Sequence, residues 1–193
     1  MVKNIKDEVD SQHYQGQAWI GKDFTAKIFS QCLFEQCEMN ECDFSDGKFS
    51  ECEFKQCNLS LSIFKNCKFQ EVTFTDCKIV GIDFSTCNAL LLDIKFQKCL
   101  IHGSNFSDLK LPDTEFKDST IKESDFVNAN LRGSDFYNTN LAGSLFHHTN
   151  LSKANFIGAS NYNIDPLTNN LKQAQFSMPE ATNLLRAMGI DVK

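Results

Sequence analysis

No stretch of this 193-residue chain approaches the roughly 18 uninterrupted apolar residues that a membrane-spanning helix needs, so no membrane association is expected. The opening residues, Met1-Val2-Lys3-Asn4-Ile5-Lys6, lack the apolar core of a secretory signal, and the expected compartment is the cytoplasm. Zinc-type cysteine spacings, a glycine-rich phosphate loop and a nucleophile motif are missing too. No metal, no cofactor and no catalysis are therefore expected. A positive charge excess is also absent. The net charge is −6, which disfavours direct nucleic-acid binding and favours a basic partner. The imbalance lies between Asp23 and Gly158, where 19 acidic residues face 13 basic ones.

What the chain has instead is a large apolar residue at every fifth position. The series runs from Phe24, Phe29, Phe34, Met39 and Phe44 to Phe84, then resumes at Phe96, Ile101, Phe106 and Leu111 and continues to Phe156. Residues five apart lie about 140° apart around a helix and alternate faces on a strand, so neither element alone places them on one side. Two residues before each large residue stands a small one, such as Cys32, Cys37, Cys42, Gly47, Cys52 or Ser62. Residues two apart in extended chain share a face. Each unit therefore reads as a three-residue wall with both ends inward and a polar residue outward, followed by a two-residue corner of Ser, Asp, Gly or Asn. Identity also recurs at twenty: Phe24, Phe44, Phe64 and Phe84 form one column, and Phe96, Phe116, Phe136 and Phe156 another. Four walls per turn give an all-β quadrilateral β-helix, expected to be right-handed.

The nine cysteines all occupy the small inward position, where Ser, Thr, Ala or Val otherwise stands. They read as core filling and not as a disulfide or metal framework.

Three segments follow. Residues 1–22 lie off the repeat and read as an arm and cap containing Trp19, the only tryptophan. Residues 23–158 form the solenoid, interrupted at 88–95, where seven residues replace five. Leu90, Leu91 and Leu92 cannot all face inward, so this stretch with Asp93 is either a tolerated insertion or a contact loop. Residues 159–193 close the chain. Ser177-Met178-Pro179-Glu180 reads as a capping box, Met178, Ala181, Leu184, Leu185 and Met188 as one apolar helix stripe, and Gly189 as the C-terminal cap. Ile190 and Val192 continue as an alternating apolar strand. This segment is expected to cap the solenoid and to pair with a second copy about a two-fold axis.

Motifs such as Ala129-Asn130-Leu131-Arg132-Gly133 and Ser134-Asp135-Phe136-Tyr137-Asn138 resemble the pentapeptide-repeat proteins over about 135 residues. Asn161-Tyr162-Asn163-Ile164-Asp165, Phe176-Ser177-Met178-Pro179-Glu180 and Leu184-Leu185-Arg186-Ala187-Met188-Gly189-Ile190 are similar to the tails of that family's topoisomerase-protecting branch. That branch holds the Qnr-type quinolone-resistance and the albicidin- and microcin-resistance proteins. The stretch Cys52-Glu53-Phe54-Lys55-Gln56-Cys57-Asn58 resembles the albicidin-resistance protein in particular. The resemblance implies a homodimer joined at its C-terminal end through Phe176, Met178, Leu184, Leu185, Met188 and Ile190. It also implies an acidic rod that approximates duplex DNA, engages DNA gyrase or topoisomerase IV and protects it from poisons. Qnr-type proteins carry two projecting loops, whereas only the short interruption is visible in this sequence.

Two sets of carboxylates are candidates for the partner-binding surface. Glu51 with Glu71, and Glu115 with Asp135, stand twenty apart, where like charges face each other at a cost of up to about 1 kcal/mol. A cluster also runs through Asp108, Asp113, Glu115, Asp118, Glu123, Asp125 and Asp135. Lys110, Lys117, Lys122 and Arg132 interleave with it, so a merely solvated face remains the competing reading. A structural or adaptor solenoid is the alternative function.

Overall fold

The computed structural model describes residues 7–192, and the chain winds through about eight turns of parallel β-solenoid followed by one short helix. Its register is the expected one. Ile28–Ser30 pairs with Lys48–Ser50 as Phe29↔Phe49, and Leu33–Glu35 pairs with Glu53–Lys55 as Phe34↔Phe54, one turn of twenty residues apart. Through the body of the tube the two inward residues of a wall are buried and the residue between them faces out.

The corner explains the small polar residues between walls. Its second residue takes a left-handed conformation in turn after turn, as at Gln31 (φ 51°), Gln36 (φ 53°), Glu41 (φ 61°) and Asp46 (φ 58°). Single Asn, Asp and Gly residues enter that region most readily.

Four inward columns define four walls. Wall 1 carries Val9, Phe29, Phe49 and Phe69, then Leu92, Leu111, Leu131, Leu151 and Leu171. Wall 2 is aromatic throughout, from Tyr14, Phe34 and Phe54 to Phe156 and Phe176, with stacked rings 4.6 Å apart at Phe34–Phe54 and 5.0 Å at Phe156–Phe176. Wall 3 is aliphatic after Trp19: Met39, Leu59, Ile79, Ile101, Ile121 and Leu141. Wall 4 stacks Phe24, Phe44, Phe64, Phe84, Phe106, Phe126 and Phe146. At about 4.8 Å per turn, eight turns give a rod of about 38 Å.

The solenoid exceeds the expected segment at both ends. Residues 8–22 are not an off-repeat cap but the first turn, because Glu8–Asp10 pairs with Ile28–Ser30 and His13–Gln15 with Leu33–Glu35. The five-residue series was hidden there by unlike residues, Val9, Tyr14 and Trp19, in the apolar slots. Trp19 closes this end by packing against Tyr14 at 5.0 Å and Phe24 at 5.3 Å, an aromatic plug on an otherwise aliphatic wall. At the other end Gln175–Phe176 still pairs with Asn155–Phe156. Asn169 fills the small inward position, its Nδ2 donating to Phe146 O at 3.0 Å.

The interruption lengthens one turn to twenty-two residues, so Phe74 pairs with Phe96 and Ile79 with Ile101. A 3₁₀ turn at Ala89–Leu91 absorbs the excess, with the Asn88 side chain accepting from Leu90 N at 3.2 Å. Leu90 is 90% exposed and Leu92 folds back onto the core. The side chain of Leu91 lies outside the described residues.

The C-terminal helix is shorter than expected and begins later, at Thr182–Ala187. No side chain caps it, since Ser177 Oγ instead accepts from Gly158 N at 2.9 Å. The stop is as expected: Gly189 (φ 78°) donates to Arg186 O and Ile190 to Leu185 O, the paired bonds of a glycine-terminated helix. Residues 190–192 form no strand.

Candidate functional site

A square rod offers four outward rows, and each charged residue belongs to one of them by its position in the turn. The expected acidic cluster does not form one face. Asp108, Asp113, Asp118 and Glu123 occupy four successive corners of a single turn, all with positive φ, and so girdle the rod. A flat partner can reach two neighbouring corners at most. Glu115 and Asp135 do stack in register on wall 2, but Lys117 Nζ sits between them, 3.1 Å from Glu115 and 3.3 Å from Asp135. The expected like-charge repulsion is therefore neutralised, and the Glu115 carboxylate in turn holds the lysine's pKa above its usual range. Glu51 and Glu71 share the corner after wall 1, where Gln31 Nε2 donates to Glu51 at 3.0 Å.

The denser acidic surface is wall 4. Asp23 and Asp43 are direct neighbours in its outward row; Asp83 and Asp125 follow, with Ile63 and Asn105 between them. Asp46 and Asp108 stand at the adjoining corner. Lys22 and Lys65 are the basic residues along this wall. Asp23, Asp43 and Asp83 each turn one oxygen inward to close their own corner, accepting from Thr25 N at 2.8 Å, Ser45 N at 2.8 Å and Ser85 N at 3.1 Å. The Thr25 hydrogen bonds hold the Asp23 carboxyl below its usual range. Among the described residues the second oxygen of each carboxylate has no donor. Only Asp108 and Asp125 of the expected set lie on this wall. Asp23, Asp43, Asp46 and Asp83 were missed, although the spacing of twenty that links 23, 43, 63 and 83 was visible.

Asparagines explain how so many carboxylates coexist. Asn66, Asn105, Asn128, Asn138 and Asn155 each donate Nδ2 to the acid one turn below, at Asp46, Asp83, Asp108, Asp118 and Asp135 respectively, over 2.7 to 3.2 Å. Each bond satisfies one carboxylate oxygen without cancelling its charge.

Wall 1 has the opposite sign along its middle. Lys48 and Lys68 are direct neighbours, followed by Lys110 and then Asn130, with Arg132 in the corner just beyond. At the C-terminal end, Phe176 belongs to the aromatic column and Leu184 packs onto the core, and both are partly buried within this chain. Met178, Leu185, Met188 and Ile190 are exposed. Among the described residues no helix is long and apolar enough to cross a membrane, and no cluster of His, Cys, Asp or Glu could hold a metal ion.

A family profile described as "Pentapeptide repeat region" matches residues 27–106, 47–126 and 88–156. The chain is a pentapeptide-repeat protein. Among solved structures, it is similar to a trypsin-treated single-residue variant of QnrB1, a plasmid-mediated fluoroquinolone resistance protein. Identity there is 18%, coverage 98% of this chain and 100% of the other, and the TM-score 0.76. Full-length QnrB1 gives 16% identity, 95% and 100% coverage and a TM-score of 0.56. HetL, a pentapeptide-repeat protein involved in heterocyst differentiation regulation from the cyanobacterium Nostoc sp. strain PCC 7120, gives 15% identity, 88% and 86% coverage and 0.52. At these identities the likeness is one of fold. No curated protein sequence matches the chain.

Proposed function

We propose that this protein is a non-enzymatic ligand of a type II topoisomerase, DNA gyrase or topoisomerase IV, and shields it from poisons by occupying its duplex-binding surface. The observation that carries this reading is the carboxylate row of wall 4 on a straight rod about 38 Å long. Duplex DNA carries one charge per about 1.7 Å, far denser than this row, so salt-sensitive competition is expected and not tight mimicry. Pairing of two copies through the exposed Met178, Leu185, Met188 and Ile190 would double the rod. The fold shared with a fluoroquinolone resistance protein supports the reading.

The test is a gyrase supercoiling assay with and without a poison, run across salt concentrations. The native protein should inhibit or protect at low salt, and Asp43→Lys with Asp83→Lys should abolish the effect. Glu115→Lys should change it little, because Lys117 already neutralises that pair. Equal activity of native protein and double variant would overturn the reading.

A further inference from the structure

We propose that wall 1 of one molecule docks side by side on wall 4 of a second copy. This contact is separate from any pairing at the C-terminal end and does not rest on the topoisomerase reading.

The outward row of wall 1 carries lysines around an apolar knob, with the carboxylates Glu51 and Glu71 set off to the corner that follows. Lys48 and Lys68 face each other in register, which is unfavourable for the isolated molecule. Among the described residues neither of them, nor Lys110, makes an ion pair. Leu90 rises from the turn between those that carry Lys68 and Lys110, with 90% of its surface exposed. The turn that presents it is tied down by Asn88, which accepts from Leu90 N and donates Nδ2 to Asn66 Oδ1 at 3.2 Å. A presented leucine with lysines above and below suits an apolar contact rimmed by carboxylates.

Wall 4 has that composition. Asp43, Ile63 and Asp83 stand on three successive turns, Ile63 is 51% exposed, and among the described residues each aspartate has one oxygen without a donor. Base–apolar–base on one wall thus meets acid–apolar–acid on the other. Both rows ride the same coil, so both step by about 4.8 Å per turn, and matching one rung matches the next. The two surfaces differ, so the contact is heterologous and does not stop at a pair. It also hides the row proposed to engage the topoisomerase, so the two associations exclude each other.

Sedimentation velocity of the full chain tests this without any topoisomerase. A Met188→Asp background removes the apolar C-terminal contact. In that background the weight-average sedimentation coefficient should rise with protein concentration at low salt and return to the monomer value at high salt. Lys68→Glu with Lys110→Glu should abolish the rise, and Asp43→Lys with Asp83→Lys should abolish it too. Mixing these two reversed proteins should restore association, because each again meets a wall of opposite sign. Circular dichroism melts that match the parent protein exclude misfolding as the cause of any loss. Monomeric behaviour at every salt concentration, association untouched by the reversals, or failure of the mixture to associate would each overturn the proposal.

Discussion

The two halves of the solenoid, before and after the interruption at residues 88–95, build the same tube from different side chains. In the first half phenylalanine fills walls 1, 2 and 4, and cysteine dominates the small inward position. In the second half wall 1 turns to Leu111, Leu131 and Leu151, and the small positions hold Ser119, Ser124, Ser134, Thr139, Ser144 and Thr149. At several of these positions in each half the small residue does the same thing. Cys57 Sγ donates to Phe34 O at 3.3 Å and Cys77 Sγ to Phe54 O at 3.3 Å, while Thr139 Oγ1 donates to Phe116 O at 2.6 Å and Thr149 Oγ1 to Phe126 O at 2.7 Å. In every case the acceptor lies twenty-three residues back. The repeat prescribes a small volume, which Ala129, Ala154 and Ala159 also fill, and where a donor is present leaves the element, sulfur or oxygen, open.

The largest expected effect tests whether the aromatic columns carry both halves. Phe54 and Phe116 are fully buried in wall 2, each stacked on a ring above and below. Phe54→Ala and Phe116→Ala should each cost about 3–5 kcal/mol in chemical denaturation, since neighbours locked in a coil cannot collapse into the cavity. A much smaller loss in one half would show that its core is carried by the aliphatic columns.

Next comes an alkaline asymmetry. All nine thiols lie at or before Cys99 and all are buried; burial pushes Cys42 up to about 11 and Cys52 to about 12. An unfolded thiol ionises near 8.5, so the folded state holds more protons above that pH, and the stability these groups confer is full below about 8.5 and falls as pH rises. At pH 9.5 Cys42 and Cys52 should each withdraw about 1.4 kcal/mol. Hydrogen exchange should therefore show residues 8–99 losing protection between pH 8 and 9.5, once corrected for intrinsic rates, while the thiol-free half keeps its own. Uniform loss would mean that the halves unfold as one unit.

The tube was legible in the sequence because its period, five, excludes ordinary elements and its repeat at twenty fixes the number of walls. The ends were not, because Val9, Tyr14 and Trp19 share a slot without sharing a residue type, and because Asn169 fills a small position with a polar side chain that only its bond to Phe146 explains. The candidate surface was half legible. Carboxylates were identified as a class, but distance along the chain does not say which wall a residue faces until the two-residue insertion is placed. That shift moves Asn105 and Asp125 into line with Asp83. Neutralisation of Glu115 and Asp135 by Lys117 was hidden for another reason: it depends on a side chain reaching across one turn.

Gly47 sharpens the comparison, because the repeat rule would admit cysteine there, as at Cys42 and Cys52. A Cβ at Gly47 would stand 2.8 Å from Phe44 O and 3.2 Å from Lys27 O, both backbone atoms that cannot swing aside. Gly47→Cys should therefore cost about 1–3 kcal/mol despite restoring the commoner residue, read as a lowered denaturation midpoint. A neutral outcome would mean that the coil relaxes locally.

The smallest effect addresses the exchange of sulfur for oxygen directly. Thr139→Val keeps shape and removes the donor to Phe116 O, which leaves a buried carbonyl without that partner and should cost about 1–2 kcal/mol. Cys57→Ser brings the stronger hydroxyl donor to Phe34 O, and its change should stay within about 1 kcal/mol because the acceptor is already in place. If Cys57→Ser costs more than Thr139→Val, the first half selects cysteine for the size and polarisability of sulfur between phenylalanine rings, and the hydrogen bond is incidental there. If it costs less, one donor position runs the length of the tube and the two halves differ only in which atom fills it.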